Sequence, residues 1–212
     1  MVAADFRLIL VDPVRELCRA FEEQFSQFPN VQVVPGCFEE LNEYDCMVSP
    51  ANSFGLMDGG VDRAIINFFG IELMDRVQER VVREYRGEQP VGSSFIIETG
   101  HAEHRFLAHT PTMRVPMRIA RTDNVYRAMQ AMLLAVWKHN LALNSSIRVV
   151  ACPGLGTATG GVPYHQAAQQ MALAYRHFLS PPEAVSWPNA LERQAAIGLG
   201  GDDGFPSSRH KV

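Results

Sequence analysis

The sequence predicts an α/β fold, a mixed central sheet covered on both faces by helices. Three observations carry that expectation. Short runs dense in β-branched and apolar residues recur along the chain. They alternate with longer segments whose apolar residues fall at helical spacing. Two glycine-rich loops sit where a strand hands over to a helix.

Phe6 to Val11 is an apolar run that stops at Asp12-Pro13, and Val14, Leu17, Cys18, Phe21 and Phe25 then repeat at helical spacing. This reads as a strand followed by an amphipathic helix, with Phe21, Phe25 and Phe28 in the core. Val31 to Val34, bounded by Pro35-Gly36, and Cys46 to Ser49, bounded by Pro50, read as buried strands. After Gly59-Gly60, the spacing of Val61, Ala64, Ile65, Phe68 and Phe69 predicts a helix; Gly70 stops it, and Leu73 to Tyr85 is a second. Phe95 to Thr99 and Phe106 to His109 follow as strands.

Thr122-Asp123 offers a cap for a helix from Val125 to Leu143, with the Met129, Met132, Leu133, Val136 and Trp137 stripe expected in the core. Ile147 to Cys152 is a strand, and Pro163 opens a helix that runs to Phe178. Residues 1–180 thus form one domain. From Ser180 onward the Pro181-Pro182 and Trp187-Pro188 pairs and the glycines from Gly198 to Gly204 predict a flexible tail over 181–212; a docked helix at Leu191 to Leu199 is the alternative.

A chain of 212 residues, 47% hydrophobic and 20% charged, has ample material for one core, which excludes general disorder. The net charge of −4 excludes a protein that grips long stretches of nucleic-acid backbone. Phosphate, if bound, should be held locally, and backbone amides at helix starts can hold it without an excess of Lys or Arg. Cys18, Cys37, Cys46 and Cys152 follow no metal-ligand spacing and are expected reduced and mostly buried, which points to the cytoplasm. No basic leader with an apolar stretch opens the chain and no run of about 18 apolar residues occurs, so neither a signal peptide nor a membrane partner is expected. The oligomeric state is left open.

The first loop follows the strand ending at Ser49 and reads Pro50-Ala51-Asn52-Ser53-Phe54-Gly55-Leu56-Met57-Asp58-Gly59-Gly60-Val61-Asp62 into a helix. The second runs from Pro153 to Pro163, with Gly154, Gly156, Gly160, Gly161, Thr157 and Thr159, again between strand and helix. Glycines let backbone approach a ligand, helix starts present free N–H groups, and such a loop can form an anion-binding nest. Both lie at carboxyl ends of strands, where α/β sheets bind ligands. Neither loop has the lysine of a Walker-type loop, and Gly154, Gly156 and Gly160 miss the G-x-G-x-x-G spacing, so ATPase and ordinary dehydrogenase readings fall.

A strand running into Pro-Ala-Asn-Ser, with ten residues from Asn52 to Asp62 through Gly-Gly-Val, resembles the macrodomain signature. Pro153, Thr157, Gly161 and Pro163 fall in register with that family's second loop, and the resemblance spans Val31 to Leu179. It implies a three-layer α/β/α macrodomain-like fold around a central mixed β-sheet. It also implies a cleft for ADP-ribose, free or carried on a modified macromolecule. Gly59, Gly60 and Val61 would cradle the diphosphate and distal ribose, and Gly156, Thr157, Ala158, Thr159 and Gly160 would close from the other side. Cys37, Phe38, Ala51, Gly154 and Leu155 complete the implied ligand contacts. Asn52 would hold ribose hydroxyls, and Asp62 would orient or deprotonate a water, ionised at neutral pH unless strongly desolvated.

The sequence departs from the family pattern at Met57 and Asp58, which replace glycines, and at Cys37, which stands where an Asp usually reads the adenine amino group. Asp58 repels phosphate if it points inward and is harmless if it points outward or at the helix start. Ala158 and Gly160 replace a glycine and an aromatic, so the cleft is expected more open there.

His101, His104 and His109 lack partner ligands at metal spacing, and no metal or cofactor is expected. His165 reads as a helix-start hydrogen-bonder, and Arg114, Arg118 and Arg121 as a solvated face. Ser49 and Ser53 sit in no nucleophile elbow, which argues against a covalent serine mechanism. The expected activity is hydrolysis, either removal of ADP-ribose from macromolecules or deacylation of O-acyl-ADP-ribose. A non-catalytic ADP-ribose reader and an ADP-ribose 1″-phosphate phosphatase are the alternatives.

Overall fold

Successive residues of a strand face opposite sides of its sheet, and in β1 (Arg7–Asp12) both sides are apolar. Leu8 and Leu10 join one buried cluster and Ile9 and Val11 another, as a strand between two helical layers requires. The same alternation separates Val48 from Met47 in β3 (Cys46–Ser49) and Ala108 from Leu107 in β5 (Phe106–His109). The computed structural model describes residues 6–142 and 147–199.

The remaining strands are β2 (Val31–Pro35), β4 (Phe95–Glu98) and β6 (Val149–Cys152). They form a six-stranded sheet in the order β2-β1-β6-β3-β5-β4. Every neighbouring pair is parallel except β4 with β5, so the sheet is mixed. One face is covered by α1 (Arg15–Phe25), α4 (Asn124–Ala142) and α5 (Tyr164–Leu179), through Leu17, Phe21, Met129, Met132, Ala168 and Met171. The other is covered by α2 (Gly60–Phe69) and α3 (Glu72–Tyr85), through Ile65, Leu73, Val77 and Val81. This is the three-layer α/β/α arrangement expected.

The helix boundaries have local causes. Gly70 adopts φ +97°, a conformation that side chains disfavour, and separates α2 from α3. Thr122 Oγ1 accepts the Asn124 N–H at the start of α4. The expected end of α4 at Leu143 lies outside the described residues. Of the stripe on α4, Met129, Met132, Leu133 and Val136 are buried, but Trp137 is 38% exposed and sits at the margin of the core. A further helix, α6 (Trp187–Ile197), starts with Ser186 accepting the Asn189 N–H, and Pro188 in its first turn. Arg193 of α6 donates to the His177 and Ser180 carbonyls of α5 and the residue after it. Residues 200–212 of the expected tail lie outside the described residues.

The three clustered histidines are built into the frame. His104 stacks on Tyr44 with ring centroids 3.8 Å apart and its Nδ1 lies 2.8 Å from the Tyr44 carbonyl. His101 Nδ1 accepts the Glu103 and His104 N–H groups. His109 Nδ1 meets Gln89 Oε1 at 2.6 Å. Among the described residues, no helix is long and apolar enough to cross a membrane. All four cysteines are free thiols; Cys18, Cys46 and Cys152 are buried and Cys37 is exposed.

Candidate active site

Parallel pairing brings the carboxyl ends of β1, β2, β3 and β6 to one edge of the sheet, and the segments that leave them enclose a cavity of about 400 Å³. That is the size of a small-molecule site. Loop one (residues 50–62) and loop two (153–163) form facing walls.

In loop one, Asn52 acts first on its own backbone. Its Oδ1 accepts the Phe54 and Leu56 N–H groups at 3.0 and 3.3 Å, and its Nδ2 donates to the Leu56 carbonyl at 2.7 Å. One Nδ2 hydrogen is left for the cavity, which Asn52 lines. Gly59 and Gly60 then lead into α2 with no side-chain cap, and the first intrahelical bond closes from Arg63 N–H to the Gly59 carbonyl. The Gly60, Val61 and Asp62 N–H groups find no acceptor among the described residues, and all three residues line the cavity.

Asp62 stands in this first turn, 8% exposed, and the fully buried Ser49 hydroxyl donates to its Oδ1 at 2.6 Å. Burial pushes its carboxyl up to about 6; the Ser49 hydrogen bond opposes that push and the nearby Asp58 adds to it. Strong desolvation is therefore present, yet at pH 7 the ionised form still prevails by roughly ten to one. Asp58 is exposed and stands just before the start of α2. It lines the cavity, its carbonyl accepts Arg63 Nε at 2.7 Å, and its charge reaches Asp62.

Loop two contributes backbone and hydroxyls. The N–H groups of Thr157, Ala158, Thr159 and Gly160 find no acceptor among the described residues, and these four residues line the cavity. Its first turn is pinned by Asp12 at the end of β1, whose Oδ2 accepts the Gly154 N–H at 3.2 Å while Oδ1 accepts that of Val14 at 3.0 Å. Leu155 departs from the expectation. Its side chain is fully buried in the core and does not reach the cavity, because the loop must anchor itself to the sheet face below.

Near Gly160, where a more open cleft is expected, the glycine itself is covered, while Ala158 and Thr159 beside it are exposed. Gly160 is buried, its carbonyl accepts the Ile119 N–H at 2.9 Å, and Ile119 packs over it. Met113 and Pro116, from the segment that crosses between the loops, and Tyr164, at the start of α5, line the cavity there. At the opposite end, Cys37 and Phe38 line it as expected, joined by Gly36 and Glu39. Arg114 pairs with Glu88 through contacts of 2.5 and 2.9 Å, and Arg118 and Arg121 are exposed. His165 sits at the start of α5, where its Nε2 lies 3.4 Å from Gln24 Nε2.

The profile of the Macro domain family matches residues 48–171, a span that contains both loops and the segment between them. The chain belongs to the Macro domain family. An uncharacterized protein of Aquifex aeolicus is 34% identical over 149 residues, covering 70% of this macrodomain and 82% of that protein. An O-acetyl-ADP-ribose deacetylase of Salmonella gallinarum is 28% identical over 154 residues, covering 71% and 79%. Among solved structures, an Oceanobacillus iheyensis macrodomain variant with ADPR superposes with a TM-score of 0.58 at 22% identity, covering 77% of this chain and 87–89% across related forms of that one.

Of the expected site residues, this macrodomain brings all but Leu155 to one cavity. Asp12, Glu39, Leu56, Thr112, Met113, Pro116 and Tyr164 also line it and were not anticipated. Asp12 carried a readable signal, since an Asp-Pro pair closing a buried strand sits at the carboxyl end where ligands bind. Glu39, Leu56 and Tyr164 are sequence neighbours of the expected residues, whereas Thr112, Met113 and Pro116 arrive from a segment whose proximity depends on the strand order.

Proposed function

We propose that this macrodomain binds ADP-ribose in the cavity and hydrolyses ADP-ribosyl linkages, by removing ADP-ribose from modified macromolecules or by deacylating O-acyl-ADP-ribose. One observation carries the reading: a buried carboxylate, Asp62, is held by Ser49 in the same helical turn whose free N–H groups line the cavity. Binding alone needs no such desolvated acid.

The diphosphate would lie between the start of α2 and the N–H groups of loop two. These are fixed partial positive charges that work without any lysine or arginine on the cavity wall. With Oδ1 occupied by Ser49, Oδ2 of Asp62 is left to take a proton from a water. That water oxygen bonds to the anomeric carbon, the bond to the acyl oxygen breaks, and the carboxylate leaves with the electron pair. A base with a carboxyl near 6 is ionised at neutral pH and still basic enough to help. Holding the ribose for in-line approach falls to loop one, through the remaining Asn52 N–H and the backbone at Gly59 and Gly60.

Calorimetry with ADP-ribose, against ADP, AMP and NAD, tests the binding step; selective micromolar affinity is expected, and no detectable binding would refute the ligand. Asp62→Ala should keep affinity within about tenfold, or ~1.4 kcal/mol, while turnover falls at least about a hundredfold. Equal loss of both would make Asp62 a binding or folding residue. A parent protein that binds but does not turn over would be a reader.

A further inference from the structure

We infer that Ser49 is a positioning residue for hydrolysis, holding the Asp62 carboxylate charged and aimed with one oxygen free. The inference rests on the reading of Asp62 as the base.

Ser49 cannot act on substrate directly. It is fully buried at the end of β3 and does not line the cavity, while Asp62 does. Its one hydroxyl hydrogen is committed to Asp62 Oδ1 at 2.6 Å, and no other donor reaches that carboxylate among the described residues. β3 is paired on both sides, with β5 and β6, so the donor is held on a rigid element. A hydrogen bond to the charged form favours that form, and a fixed Oδ1 leaves Oδ2 for water.

The groups around Asp62 leave this task to Ser49. Asp58 in loop one is negative and works the other way. Arg63, next to Asp62 on α2, is exposed and spends its Nε on the Asp58 carbonyl. His109, the register partner of Ser49 on β5, is fully buried, and burial pushes it down to about 3, so it brings no charge. Loop two has no ionisable side chain, and Asp12 and Glu39 on the cavity wall are acids.

The test compares the parent with Ser49→Ala, Ser49→Thr and Ser49→Cys. The Asp62 carboxyl is titrated by carbon NMR in the unliganded protein, beside the pH dependence of turnover and ADP-ribose affinity. Ser49→Ala should raise the Asp62 midpoint by about one pH unit, and Thr should restore it. The weaker thiol donor should give a smaller rise in the same direction. Turnover of Ser49→Ala should fall about fivefold more at pH 6 than at pH 8.5, where only the lost aim counts, with affinity unchanged. An unmoved midpoint, or an equal loss of turnover at every pH, would overturn the inference. If the parent has no turnover the hydrolase reading fails, and the NMR midpoints still decide whether Ser49 holds the charge. If Ala does not fold, the Cys and Thr midpoints decide.

Discussion

In loop one, a methyl group built on Gly59 or Gly60 meets nothing within 4 Å; in loop two, one built on Gly160 strikes the Gly156 carbonyl oxygen and comes within 2.8 Å of Ile119 Cγ1. Gly59 and Gly60 leave room for a ligand in one wall, whereas Gly160 leaves room for the protein in the other. Ionisable groups divide the same way. Loop one holds Asp58 and the buried Asp62, whereas loop two, from Pro153 to Pro163, has none. Reactivity and its strain thus lie on one side of the cavity, and packing on the other.

Removing the buried charge is the largest expected change. The Asp62 carboxyl binds its proton more tightly folded, at about 6, than unfolded, near 3.8. Folding stability therefore falls as pH rises through that window, and the deficit persists above it. Asp62→Asn keeps an acceptor for Ser49 without the charge. It should stabilise the protein by about 2–3 kcal/mol at pH 7.5 and by little at pH 4. Thermal melts at the two pH values check this, and equal melting temperatures for both proteins at pH 7.5 would show that loop one carries no such strain.

Gly160→Ala probes the other wall. With backbone on one side and Ile119 on the other, the methyl cannot be absorbed by a flexible side chain, and a loss of about 2–3 kcal/mol is expected. For a chain of this size that lowers the melting temperature by roughly 5–10 °C. Weaker ADP-ribose binding should accompany it, because loop two shifts as a unit. Unchanged stability with weaker binding would mean that the glycines of both loops serve the ligand.

How far this contrast can be read from sequence depends on which residues are neighbours along the chain. The strands were legible because runs such as Leu8-Ile9-Leu10-Val11 must be buried on both faces. The breaks at Gly70 and Pro163 were legible because each constrains its own backbone. Asp62 was marked by its spacing from Asn52, but its bond to Ser49 exists only once α2 folds back over the end of β3. From the sequence Ser49 reads as the end of a buried strand and as a nucleophile without an elbow, with nothing local to link it to Asp62. Loop two misled for the same reason. Whether Gly160 faces ligand or Ile119, and whether Leu155 turns to the cavity or the core, is decided by a segment some forty residues upstream that the strand order brings across. The helix at Trp187–Ile197 had a local signal, a serine before Trp-Pro, outweighed by the surrounding prolines and glycines.

Asn52→Ala tests whether loop one is held by its own side chain. Three bonds to the Phe54 and Leu56 backbone would be lost, though water can reach part of the loop, so about 1–2 kcal/mol of stability should go. Binding and turnover should fall together, unlike the split expected for Asp62→Ala. A loss of turnover with stability and affinity intact would instead make Asn52 a direct participant in the reaction.

The smallest effect on stability is expected at Gly59. Its φ of −144° is extended backbone open to any residue, and the added methyl of Gly59→Ala enters open cavity. Stability should stay within about 0.5 kcal/mol of the parent. The methyl would stand beside the free N–H groups of Gly60 and Val61, where a phosphate would have to approach, so ADP-ribose affinity should fall about tenfold. Melting and calorimetry on this variant and on Gly160→Ala together form a crossed pair, each damaging what the other spares. A Gly59→Ala protein that binds as tightly as the parent would place the diphosphate away from the start of α2, and leave loop two to hold it.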